Sequence, residues 1–129
     1  MSQGAEEKPL AWAIVSDLFL RAKVEALTDR AEMDVRFFGT PEELGSALTA
    51  AALDGSSPAL LLVDLADGEG RGMTLLERLS HGTAPPTLAF YSHVEDAVRR
   101  RALELGATKV VPRSAFVLRF GDLVRELIG

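Results

Sequence analysis

The sequence predicts an α/β domain: a doubly wound, five-stranded parallel sheet in the order 2-1-3-4-5, with five helices on its two faces in a three-layer sandwich. Three observations carry this. Five short apolar runs alternate with segments of helical period along almost the whole chain. Most of the runs lack the polar alternation of a half-exposed strand, as befits strands covered on both faces. No linker, repeat or low-complexity tract divides the chain. Alternating strand and helix imply right-handed crossovers, and five such units suit that order, in which a crevice opens at the carboxyl ends of strands 1 and 3.

The first run is LAWAIV (10–15). Leu20, Val24, Leu27 and Ala31 then recur at helical spacing and predict the first amphipathic helix. DVRFF (34–38) is more polar and reads as an edge strand. Thr40-Pro41-Glu42-Glu43 has the spacing of a capping box, with proline at the first helical position, and opens a helix striped by Leu44, Leu48 and Ala51. The third strand, ALLLV (59–63), precedes a helix marked by Leu75, Leu76 and Leu79. PTLAFY (86–91) is the fourth, followed by a second capping-box spacing, Ser92-His93-Val94-Glu95, and the stripe Val94, Val98, Ala102, Leu105. TKVV (108–111) is the fifth strand, and Phe116, Phe120, Leu123 and Leu127 predict one closing helix. Residues 1–8 read as a disordered tail and 9–129 as a single domain.

Composition bounds the setting. The chain has 129 residues, of which 47% are hydrophobic, enough for one core. Without cysteine it has no disulfide framework, thiolate metal site or cysteine nucleophile. A net charge of −5 disfavours binding to nucleic-acid backbones. The start MSQGAEEKP lacks a signal-peptide pattern, and no segment approaches ~18 continuous apolar residues, so a cytoplasmic protein without membrane association is expected.

The stretch ALLLVDL (59–65) focuses the functional question, because a buried apolar strand ends on the carboxylate of Asp64 and an unpaired buried carboxylate is costly. At the crevice, the residues just past each strand are the candidates: Ser16 and Asp17, then Asp64, then Ser92 and His93, then Pro112 and Arg113. Each also has a plainer reading. Asp17 stands where a helix N-cap belongs, as does Ser92, and Asp64 is equally a polar strand end bonded to nearby backbone. His93 near Asp64 raises a metal or acid-base pair, whereas His81 lies in the polar loop SHGTAPP and reads as solvated. Gly68, Gly70 and Gly72 match no nucleotide-binding order and read as a flexible loop.

At these positions the sequence resembles the receiver domain of two-component response regulators, from about residue 9 to residue 129, which implies the flavodoxin-like fold. The family's acidic pair, phosphoacceptor Asp, strand-4 hydroxyl and Lys-Pro pair correspond here to Asp17, Asp64, Ser92 and Pro112, and its glycine eight residues past the phosphoacceptor to Gly72, followed by Met73. The departures bear on activity. The acidic pair is Ser16-Asp17, one carboxylate short for a hard divalent cation. The lysine position is Val111, and Arg113 supplies a cation only from a shifted place. His93 replaces a small residue, Gly68 stands where proline is common, and Thr108 occupies the place of the family's switch aromatic.

Phosphoryl transfer rests on positioning and charge neutralisation. The expectation is therefore a pseudo-receiver: a protein-interaction module with no catalytic residue, metal or cofactor. The alternative is an atypical phosphoacceptor in which Asp64 is the nucleophile, Asp17 holds Mg²⁺, Ser92 contacts the phosphoryl group and Arg113 replaces the lysine. An unrelated small enzyme on the same fold is a third class, since fold does not dictate function. The partner surface, or a homodimer interface, is expected on helix 4, strand 5 and helix 5. There Leu103 and Leu118 point away from their stripes, with Arg99 and Arg100 at the rim. Glu95 and Glu104 stand four residues from Arg99 and Arg100, so the basic run reads as a solvated face and not a nucleic-acid patch.

Overall fold

The computed structural model describes residues 8–92 and 96–129. Its five parallel strands are β1 (Leu10–Ile14), β2 (Asp34–Phe37), β3 (Leu60–Asp64), β4 (Thr87–Tyr91) and β5 (Lys109–Pro112), in the order β2-β1-β3-β4-β5. Among the described residues there are six helices: α1 (Leu18–Arg30), α2 (Pro41–Asp54), α3 (Arg71–Leu79), α4 (Asp96–Glu104), α5 (Arg113–Leu118) and α6 (Phe120–Ile128). The predicted sheet, order and layering are all present. None of these helices is long and apolar enough to cross a membrane.

Period-2 alternation divides the strands between two cores. Ala11, Ala13, Val15, Leu60, Leu62, Leu88, Phe90 and Val111 pack on α1, α5 and α6. Trp12, Ile14, Leu61, Val63, Ala89, Tyr91 and Val110 pack on α2, α3 and α4. Every residue of β3 and β4 is buried, whereas β2 alternates between exposed and half-buried, the edge that its sequence suggested.

The helix starts follow their capping chemistry. Thr40 Oγ1 accepts from the Glu43 amide at 3.1 Å, with Pro41 opening the helix. Asp17 Oδ1 accepts from the amides of Phe19 at 2.8 Å and Leu20 at 3.4 Å, so Asp17 is the N-cap of α1. The second capping box falls on residues 92–95, of which 93–95 lie outside the described residues, as does nearly all of the expected N-terminal tail.

The closing segment corrects the sequence reading. One helix was expected, but Arg119 leaves helical geometry (φ −118°, ψ 22°) and separates α5 from α6. Packing sets the two pieces: Phe116 stacks on Phe90 at 4.1 Å between ring centroids, and Phe120 meets Phe116 edge-on at 5.3 Å. A phase read from Phe120 does not extend across the break into α5, yet Leu118 points outward as that phase implied. Leu118 is 83% exposed, but it lines a groove of about 380 Å³ with Leu27, Arg30 and Glu32 at the far end of α1.

Candidate functional site

Asp64 is the last residue of β3, between β1 and β4 at the carboxyl edge of the sheet, and is only 3% exposed. Its Oδ1 accepts from the Ala66 amide at 2.8 Å, which fixes the turn out of the strand. Burial pushes its carboxyl above the ordinary carboxylate range. The Ala66 hydrogen bond and the charge of Arg113 oppose this, and the like charges of Asp67 and Asp17 add to it.

Gly72 explains how α3 seats beneath this residue. A β-carbon built there would lie 2.2 Å from the Asp64 carbonyl oxygen and 3.0 Å from a Val63 methyl. The first turn of α3 thus presses directly on the end of β3, an approach open only to glycine. The intervening loop is hydrogen-bonded, not the loosely flexible run its glycines suggested. Asp67 Oδ1 accepts from the Glu69 amide at 3.0 Å, the Gly70 amide donates to the Asp67 carbonyl at 3.0 Å, and Arg71 bridges Asp67 at 3.7 Å and Glu69 at 2.5 Å. Sequence reasoning passed over Asp67. The readable signal was an Asp placed to bond the backbone two residues on, just ahead of a glycine pair.

The other candidates fall into place around Asp64 with different orientations. Ser16 is half-buried at the end of β1, and exposed Asp17 spends one carboxylate oxygen on its own helix. Ser92 is exposed beyond β4, and His93 lies outside the described residues. Pro112 closes β5 and Arg113 immediately opens α5. Arg113 makes no ion pair with Asp64 within contact distance. It acts through its longer-range charge, and among the described residues its buried Nε has no hydrogen-bond partner. Val111, where the sequence resemblance leads one to expect a lysine, is buried with Phe90 in the core beneath α5 and α6. Among the described residues no three His, Cys, Asp or Glu side chains converge where a metal ion could be held.

No family model matches the sequence, and no curated protein matches it. Solved structures do. A response regulator receiver protein from Burkholderia phymatum superposes with a TM-score of 0.76 at 20% identity, covering 95% of this chain and 96% of that one. The chain has the receiver-domain fold. The BeF3-activated N-terminal receiver domain of Klebsiella pneumoniae RstA gives 0.74 at 20% identity, over 92% and 97% of the two chains. The response regulator domain of Thermotoga maritima CheB gives 0.73 at 16% identity, over 95% and 97%. At such identities the likeness speaks for the receiver architecture, CheY-like in strand order, and leaves the chemistry to the side chains at the crevice.

Proposed function

We propose that the chain is a receiver-like signalling domain of the two-component type that takes no phosphoryl group and works as a protein-interaction module, a cytoplasmic pseudo-receiver without enzymatic activity. The observation that carries this reading is Val111. Where the resemblance calls for a lysine to grip the phosphoryl group, an apolar side chain is packed into the core, and no cation stands in contact with Asp64 among the described residues. The donors are also a poor fit to Mg²⁺, because Ser16 replaces a carboxylate, Asp17 is committed to the α1 cap, and Asp64 is held by the Ala66 amide.

Incubation with Mg²⁺ and acetyl phosphate is expected to leave the intact mass unchanged. An added phosphoryl group that disappears in Asp64→Asn would overturn the proposal and establish the phosphoacceptor alternative, with Arg113 in the role of the lysine.

For the interaction we propose the surface formed by α4, β5 and the adjoining edge of α6. Ala102 is the one residue of α4 that is buried, so the helix offers most of its surface to solvent. Leu103, 38% exposed, stands between Arg99 and Arg100, and Lys109 of β5 pairs with Glu126 of α6 at 2.5 Å. This is a small apolar centre with charge at its rim, a composition that sets orientation and on-rate. Leu103→Glu is expected to lose capture of a partner from native lysate while the melting temperature stays within about 2 °C of wild type. Unchanged capture would remove Leu103 from the interface.

A further inference from the structure

α1 is apolar on two sides. Its inner side, Leu20, Val24 and Leu27, is the stripe that seats it on the sheet. Its outer side carries Leu18 at 74% exposure and Phe19 at 90%, followed at helical spacing by exposed Ala22 and Ala26. Leu18 and Phe19 are two of the five large exposed apolar side chains of the described residues, and they are adjacent. Exposed Glu25 lines one edge of this outer stripe, exposed Lys23 and Arg30 line the other, and Asp29, seven residues beyond Ala22, ends the stripe itself. None of these four charges forms an ion pair among the described residues.

We propose that a second copy of this chain docks on the outer face of α1, with the two α1 helices side by side and parallel. The charge pattern selects both the occupant and the direction. A two-fold axis along the helices places the acidic edge of one copy against the basic edge of the other, so Glu25 meets Arg30 of the second copy with the spacing that joins facing edges of a parallel helix pair. An antiparallel pairing sets like edges together, Lys23 and Arg30 against their own kind. Phe19, Ala22 and Ala26 form the seam, and the two alanines let the backbones approach while Phe19 supplies the buried area. The inner layer of α1, α5 and α6 is opposite the layer that holds α4, so this contact leaves the face around Leu103 free for a different protein.

Analytical ultracentrifugation of the full chain over a wide concentration range is the test. Wild type is expected to show a monomer–dimer equilibrium. Phe19→Glu should raise the dissociation constant at least tenfold with the circular dichroism and melting temperature unchanged, since Phe19 makes little contact within its own fold. Glu25→Arg alone should weaken the dimer, and Glu25→Arg with Arg30→Glu should restore it. Because the chain has no cysteine of its own, Ala22→Cys should form a disulfide-linked dimer under mild oxidation, as a parallel seam brings position 22 against itself. A wild type that stays monomeric throughout overturns the proposal, whether or not another protein occupies the face. So does self-association that Phe19→Glu leaves intact, or a double charge reversal no better than the single one.

Discussion

Replacing Gly72 with alanine is expected to destabilise the domain by about 3 kcal/mol, at the upper end of what an added methyl costs in a packed interior. The new β-carbon would sit 2.2 Å from the carbonyl oxygen of Asp64. Backbone cannot swing aside as a flexible side chain can, so either α3 lifts from the sheet or β3 bends at its last residue. Leu75 and Leu76 are buried through the seating of α3, and their packing would be lost with it. Thermal unfolding should show a melting temperature lower by on the order of 10 °C. Gly68→Ala is the internal control, because a β-carbon there meets nothing within 4 Å and the backbone is not left-handed. It should change stability by no more than about 0.5 kcal/mol. Equal effects at the two glycines would show that the close approach of α3 to β3 does not limit this fold.

Asp64→Asn is expected to stabilise the domain at neutral pH, the reverse of what removing a charge from a satisfied ion pair does. Burial raises the folded-state pKa of Asp64 above its unfolded value, so between the two values the folded chain holds more protons than the unfolded chain. Wild-type stability therefore falls as pH rises from the unfolded pKa, 3.8, through the folded one, and the deficit persists above it. Asparagine removes that titration and can still accept the Ala66 amide through its side-chain oxygen. The difference in melting temperature between variant and wild type should accordingly grow from near zero below the ordinary carboxylate range to a plateau at higher pH. A variant less stable than wild type at pH 7 would mean that Arg113 more than offsets the burial of the carboxylate. A gain in stability on removing this carboxylate would accord with the proposed reading of a crevice that keeps Asp64 without chemical partners.

Much of this crevice could be read from the chain. The apolar runs ending at Asp64 and near Pro112 set the strand register to within a residue, because a strand buried on both faces leaves a continuous apolar signature. Thr40 and Asp17 announced their helices through side chains whose oxygens satisfy otherwise orphaned amides. The spacing from Asp64 to Gly72 was visible as well, though not its reason, since nothing in a sequence reports how near two backbones pass. The outer stripe of α1 went unread for a related cause: Leu20, Val24 and Leu27 already accounted for a buried face, and a helix shows its second apolar face only once the first has a partner.

The alternation of elements, their burial and the residue types at the strand ends are legible in the chain alone, because they follow from local periodicity and capping. The tertiary structure alone decided the break at Arg119, where aromatic packing of Phe116 and Phe120 overrode a pattern fully compatible with one helix. It decided that Leu118 lines a groove with the end of α1. It also decided the balance at Asp64, where a backbone amide lies in contact, Arg113 acts from a distance, and Asp17 and Asp67 oppose ionisation. Such a balance depends on distances between elements remote in sequence, and only the closing of the sheet sets those distances.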